Sequence, residues 1–443
     1  MNYLTAKIKF FFAIFIMSVA VYAASPRIVS PEVKHTGKAP TGYEVTFRYY
    51  APDAKKVQIK GEWYFERPSL LTQYAGIKDK PVVESHAIMP QNWQPGDFPL
   101  SHPNSTSPNW PIEEMKKDKN GTWSYTIPLP TGVFSYQFYV NASEDLSKAV
   151  PVSDPNNKPW NENTGKVVGS KQLSSQVYVP YDAVYQYEDN RFMAPASKKG
   201  TLESITYDTA RLKDGKNYLV VYTPYGYDNS RTKPYPTLYL SHGGGGNETD
   251  WTTQGVAQNI IDNLIAAGKI EPMVVVMPNL GVYPADNFRE DLDLDVIEQI
   301  IPLIERRYNV SHLVEDRAFA GLSMGGMITD SFVIKHTDAF KYYGVMSAGL
   351  PPDITVITKE QGLALKGKAV MIAVGWQDPI MAMGFGKIQT GPMKEIQMLT
   401  QAGVTIVPDF INGGHNWATW RLLLIDFLTK TAFRPLPYPD WTF

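Results

Sequence analysis

From about residue 200 onward, short apolar runs alternate with stretches whose apolar residues recur at helical spacing. The runs 218–223, 237–241, 273–277, 342–347, 369–374 and 405–407 hold few polar residues, as expected of strands covered on both faces. Between them, 255–267 and 292–308 read as helices, and in the second Val296, Ile297, Ile300, Ile301 and Ile304 form one core-facing stripe. This alternation predicts a mixed, mostly parallel sheet with helices on both faces. Before residue 165 the pattern is all-β. Residues 43–50 alternate and 56–63 follow. The runs 122–129 and 133–140 put Trp123, Tyr125 and Ile127, then Phe134, Tyr136 and Phe138, on single faces, and Pro130-Thr131-Gly132 between them reads as a hairpin turn. Residues 66–118, rich in Pro, Asn and Ser and carrying Trp93 and Trp110, show no period and are expected to form a long insertion. The expected division is a signal segment at 1–23, a β-sandwich at 25–164, a partly extended linker at 165–199 and an α/β domain at 200–435.

At 443 residues the chain has length for two buried cores. Its 42 basic and 44 acidic residues leave a formal charge of -2, which excludes the strong field that nucleic acid or an anionic membrane would call for and favours a neutral partner. The chain has no cysteine, so disulfides, thiol catalysis and thiolate metal sites are excluded. Lys7 and Lys9 precede an apolar run from Phe10 to Ala20, and Val21-Tyr22-Ala23 follows. This is the grammar of a secretory signal cleaved after Ala23. The run is short for a membrane span of about 20 residues, and no other stretch is apolar for long enough. Secretion or a bacterial periplasm is the expected location.

The sharpest chemical signal is Ala318-Phe319-Ala320-Gly321-Leu322-Ser323-Met324-Gly325-Gly326. An apolar strand runs into G-x-S-x-G, and a helix-compatible stretch, 327–336, follows, as a nucleophile elbow requires. Ser323 is the expected nucleophile. Upstream, Leu240-Ser241-His242-Gly243-Gly244-Gly245-Gly246 places a glycine run directly after a strand. Such a loop can aim a backbone N–H at a developing oxyanion. Gly244 and Met324 are the expected donors. The general base must follow the serine, which leaves His336 and His415. His336 falls far along the helix, whereas His415 lies in Asn412-Gly413-Gly414-His415-Asn416-Trp417, just past the last strand. His415 is therefore the expected base. His35, His86, His102 and His312 carry no assigned role, and His242 is expected to shape the glycine loop. The orienting acid is expected at Asp378, after the run 369–374, with Asp353 and Asp409 as rivals. Asp291, Asp293 and Asp295 alternate where a helix should begin, which suggests contact with its N-terminal dipole rather than a metal. No cofactor is expected. Trp251, Trp376 and Trp417 are candidates to stack on aryl groups or sugars, with core packing as the alternative.

Together, 238–244, Glu248-Thr249-Asp250-Trp251, 321–326 and Gly414-His415-Asn416-Trp417-Ala418-Thr419-Trp420-Arg421 resemble carbohydrate esterase family 1, in the esterase D and feruloyl esterase group. The resemblance implies an α/β-hydrolase fold, with the family triad on Ser323, Asp378 and His415 and oxyanion donors on the glycine loop and Met324. Many relatives have aspartate after the catalytic histidine, where this chain has Asn416. The front segment is similar to the immunoglobulin-like early-set modules of carbohydrate-binding family 48 through 43–52, Asn120-Gly121-Thr122-Trp123-Ser124, Pro130-Thr131-Gly132 and Asp154-Pro155-Asn156, although 66–118 departs from that module. These likenesses imply a secreted serine esterase that removes feruloyl groups from plant xylan or xylo-oligosaccharides. Acetyl xylan esterase, siderophore esterase of the enterobactin type, acyl transfer to a sugar or lipid, and a non-catalytic glycan-binding protein are the competing readings.

Overall fold

The structure is a computed structural model that describes residues 28–67, 88–99, 112–143, 149–161, 174–186, 190–280, 283, 288–351, 354–383 and 391–435. The expected signal segment, Asp353, His86, His102 and Trp110 lie outside these residues.

In the front part, two four-stranded antiparallel sheets stack on each other. One has the order β1 (Glu32–His35), β2 (Tyr43–Tyr50), β8 (Thr122–Pro128), β7 (Lys116–Lys117), and the other β10 (Ser175–Val179), β9 (Gly132–Val140), β3 (Val57–Gly61), β6 (Glu113–Glu114). Val45, Phe47, Trp123 and Ile127 of the first pack against Ile59, Phe134, Tyr136, Phe138 and Val177 of the second. The hairpin expected at Pro130-Thr131-Gly132 is not one. β8 pairs with β2 and β9 with β3, so this turn carries the chain from one sheet to the other. A two-stranded ribbon would leave both aromatic faces on one open side. In separate sheets Trp123 and Ile127 share one buried core with Phe134, Tyr136 and Phe138, and β2 adds Phe47 at 4.5 Å from Tyr136 and Tyr49 at 4.9 Å from Phe138, centroid to centroid.

Two further expectations change. Residues 175–179, assigned to the linker, form β10 and pair with β9 along its whole length. Much of the described insertion is ordered rather than irregular: β6 and β7 join the sheets, and Phe65–Glu66 (β4) pairs with Phe98–Pro99 (β5). An Arg67–Asp97 fork at 2.8 and 2.9 Å closes the turn beside this pair.

The second part is one eight-stranded sheet in the order β11 (Thr201–Asp208), β12 (Lys216–Thr223), β14 (Val274–Pro278), β13 (Thr237–Ser241), β15 (Arg317–Leu322), β16 (Tyr342–Met346), β17 (Ala369–Gly375), β18 (Thr405–Ile411). β12 alone runs against the others. Because alternate side chains leave a strand on opposite faces, Leu219, Tyr239, Val276 and Phe319 enter one core while Val220, Leu240, Val275 and Ala320 enter the other. This is the α/β-hydrolase architecture expected from the sequence.

Helices α1 (Ala257–Ala266) and α8 (Trp417–Asp426) cover the second face, joined there by Val133 and Met193 from outside the α/β sheet. The front sandwich therefore packs directly on the helix that follows His415. The other face carries the helix expected at 292–308, which is interrupted. Phe288–Asp295 (α2) and Ile301–Arg307 (α3) are separated by a π-helical turn at Val296–Ile300. Pro302 accounts for it, since it has no N–H to donate and its ring crowds the preceding turn. α2 begins at Phe288, so Asp293 and Asp295 do not sit at its start. Both are fully buried acceptors, Asp295 of Thr209 Oγ1 at 2.6 Å and Asp293 of the Ser331 hydroxyl. Among the described residues no helix is long and apolar enough to cross a membrane.

Candidate active site

Ser323 lies between β15 and the helix Met324–Lys335 (α4), at φ 52° and ψ −116°. A non-glycine residue pays strain for positive φ, and it persists only where its surroundings fix it. Here they do. The Ser323 N–H donates to Met346 O at 2.8 Å and its carbonyl accepts from Met327 N at 3.0 Å. The neighbouring glycines are needed because backbone crosses them. A β-carbon on Gly321 would lie 2.4 Å from the Gly325 carbonyl, and one on Gly325 would lie 2.5 Å from His242 O. These contacts press the glycine loop against the elbow. The N–H of Met324, at the first helical position, has no partner within its own helix by construction.

His415 Nε2 is 3.0 Å from Ser323 Oγ, and its Nδ1 is 2.9 Å from Asp378 Oδ2. The carboxylate accepts only, so Nδ1 carries the proton and Nε2 offers a lone pair to the serine hydroxyl. Asp378 is fully buried through its side chain while that of His415 is 14% exposed, so the pair faces solvent on the serine side. The other carboxylate oxygen accepts from Ile380 N at 3.0 Å. The strand ends bearing acid and base are stitched together: Trp376 N donates to Ile411 O, Gln377 N to Gly413 O, and Gly413 N to Gln377 Oε1. Asp409, the rival acid, is held instead by Lys430 at 2.9 Å.

The glycine loop is fixed by His242. Leu280 N donates to its Nε2 at 3.1 Å, which leaves Nδ1 to donate to Gly243 O at 2.8 Å. An ideal β-carbon on Gly244 would sit 3.8 Å from Met324 Sδ, so the two expected oxyanion donors belong to adjoining segments. His336 caps the far end of α4, half-buried, with Nε2 3.7 Å from Asp293. It lies far from Ser323, as its place along the helix implies, but it is partly buried rather than a surface histidine. Among the described residues no group of three His, Asp or Glu side chains gathers at metal-binding distance.

The three tryptophans separate. Trp376 is 53% exposed, two residues from Asp378, and packs at a tilt against Phe410 with ring centroids 4.9 Å apart. Trp251 and Trp417 are core rather than lining. Trp251 is 1% exposed, donates to Ser241 O and meets Trp417 edge-on at 5.2 Å. Each ring buries a face that stacking on a ligand would need.

Sequence reasoning missed three supports of this site. Trp420 sets its ring edge-on to His415 at 5.0 Å and donates to Ser347 Oγ. Arg421 is fully buried, donating to Gln254 O and to Val133 O of the front sandwich, both at 2.7 Å. Burial lowers the Arg421 guanidinium to about 10 against the opposing pull of the Glu62 carboxylate. Asn416 donates to Pro99 O of β5 at 3.1 Å. That Trp420 and Arg421 follow His415 closely was visible in the sequence, but their partners were not.

Residues 213–431 match a family model described as putative esterase. Over 262 residues the chain is 32% identical to an endo-1,4-beta-xylanase/feruloyl esterase of Xylanibacter ruminicola, covering 54% of this chain and 32% of that protein. Over 182 residues it is 32% identical to endo-1,4-beta-xylanase Y of Acetivibrio thermocellus, covering 38% of this chain and 16% of that one. The chain thus spans a third or less of these curated relatives. A solved structure of the enterobactin esterase from Shigella flexneri superposes with a TM-score of 0.51 at 16% identity, over 90% of this chain and 94% of that one. That likeness extends the shared fold into the front sandwich.

Proposed function

We propose that this chain, matched over residues 213–431 by the esterase family, is a serine carboxylic-ester hydrolase that releases feruloyl groups from xylan or xylo-oligosaccharides. The observation that carries the chemistry is the continuous hydrogen-bonded chain from Ser323 Oγ through His415 to Asp378 at a strained elbow. Support for an ester substrate comes from the family match, and support for the feruloyl group from the relative named xylanase/feruloyl esterase. The exposed Trp376 ring beside Asp378 offers a face for an aryl acid.

In this reading Ser323 Oγ attacks the ester carbonyl as His415 Nε2 takes its proton. The tetrahedral oxyanion turns toward the N–H groups of Met324 and the glycine loop, with Gly244 as the loop donor. Asp378 stays ionised and holds the imidazolium. His415 then gives its proton to the departing sugar oxygen, leaving an acyl-enzyme, and a water activated by the same histidine hydrolyses it to free acid and free serine.

The test is release of ferulate and acetate from feruloylated and acetylated xylo-oligosaccharides by the full chain, beside Ser323→Ala. Ferulate release that the variant lacks supports the proposal. Acetate release alone moves the assignment to acetyl xylan esterase. Release of neither, with no labelling of Ser323 by a fluorophosphonate, overturns the hydrolase reading and leaves glycan binding without catalysis.

A further inference from the structure

The segment bearing His415 is held from two directions, and one of them is the front sandwich. Asn416 divides its amide between these tasks. Its Oδ1 accepts from Thr419 N at 3.1 Å and from Thr419 Oγ1 at 3.2 Å, capping α8, while its Nδ2 donates to Pro99 O. An aspartate or serine could serve as the cap, but neither supplies an amide N–H at that reach. Pro99 in turn is fixed by β4–β5 pairing and by the Arg67–Asp97 fork, with Asp97 also accepting from Gln94 N at 2.9 Å. One and a half turns further along α8, Arg421 makes the second tether to Val133 O. A cavity of about 280 Å³ lined by Phe65, Trp93, Phe98, Asn412 and Leu422 separates these parts. At that point the polar tethers therefore act beside the apolar contact of Val133 and Met193 with the helix in setting the spacing.

Resting on the esterase reading above, we infer that Asn416 is a positioning residue through which β5 of the front sandwich holds the His415 loop at its working distance from Ser323. The front sandwich is then part of the catalytic geometry for every ester, small ones included, and not only a means of holding polymer. Loss of the Asn416–Pro99 bond lets the loop drift. A displacement of 1 Å in a reacting group costs up to about a hundredfold in rate, so a partial drift is expected to cost about tenfold.

The experiment uses the full chain and p-nitrophenyl acetate, whose small acyl group needs no contact with the sandwich. Turnover by the parent and labelling of Ser323 by a fluorophosphonate test the esterase reading itself. Asn416→Ser keeps a capping oxygen and loses the reach to Pro99. Asp97→Asn loosens the fork from the other side without touching the α/β domain. Each is expected to lower kcat about tenfold with KM unchanged within about twofold, because chemistry and not binding is disturbed. The double variant is expected to lose no more than the worse single, since both act through one bond. With the parent active, an Asn416→Ser kcat within twofold of the parent overturns the inference. So does a double variant whose loss is the product of the two singles. Should Asp97→Asn unfold by circular dichroism, the Asn416→Ser result alone decides.

Discussion

Replacing Asp378 by asparagine separates the acid's charge and acceptor role from its shape. In the parent one carboxylate oxygen faces His415 Nδ1 at 2.9 Å and the other accepts from Ile380 N at 3.0 Å. An amide has a single acceptor oxygen, and both partners are donors in the working state. If the oxygen stays with Ile380, the NH2 faces Nδ1 and His415 must move its proton to Nε2, directly against Ser323 Oγ. The base is then lost although the fold is intact. In a serine protease the equivalent exchange costs roughly 10⁴ in kcat, which at 1.36 kcal/mol per tenfold is about 5 kcal/mol of transition-state stabilisation. The assay is initial-rate hydrolysis of p-nitrophenyl acetate, with thermal unfolding alongside to show that the variant is folded. Asp409→Asn is the control. That carboxylate engages Lys430 at 2.9 Å, so its loss is expected to change kcat by less than about threefold, as for a partly exposed ion pair. An Asp378→Asn enzyme within tenfold of the parent, or a larger loss in Asp409→Asn, would refute the assignment of the acid.

Gly325→Ala should cost both stability and activity, because its β-carbon meets the Ser241 and His242 carbonyl oxygens at 2.7 and 2.5 Å and backbone yields poorly. About 1–3 kcal/mol is expected by urea titration, with a displaced glycine loop. Trp376→Ala should raise KM for methyl ferulate about tenfold and leave p-nitrophenyl acetate unaffected, given an exposed ring worth a stacking contact; equal effects on both esters would exclude an aryl platform. Glu395, fully buried beside Asp330, is held well above its ordinary value of 4.5, by burial first and by the Asp330 charge second. The native state thus keeps a proton that the unfolded chain releases above about pH 4.5, so this group's stabilising contribution is full below that pH and is lost as pH rises. Glu395→Gln should therefore raise the melting temperature at pH 8 more than at pH 5, and a pH-independent change would show that the carboxyl is not protonated in the native state.

The elbow, the glycine loop and the histidine loop were legible in the sequence because each is a local device. Gly321, Ser323 and Gly325 must stand in that spacing for a strand to turn sharply into a helix. A histidine just after the last strand of a mostly parallel sheet emerges at the sheet's carboxyl edge, and the pattern of apolar runs was enough to locate that strand, though not to order the sheet. What the sequence left open concerned segments far apart in the chain. Asp378 and Asp409 both precede the histidine near strand ends, and only the stitching of 375–378 to 411–413 brings one of them to Nδ1. Trp251 and Trp417 look as available as Trp376 until packing turns them toward each other. The 130–132 turn has hairpin chemistry, yet the strands beside it bury more apolar surface in separate sheets. The amide oxygen of Asn416 has a local use as the cap of the following helix, but the acceptor of its Nδ2, Pro99 O, stands 317 residues away. Local sterics act between neighbours and can be read along a chain, whereas burial and long-range hydrogen bonding depend on which surfaces meet, and that is decided only when the chain folds.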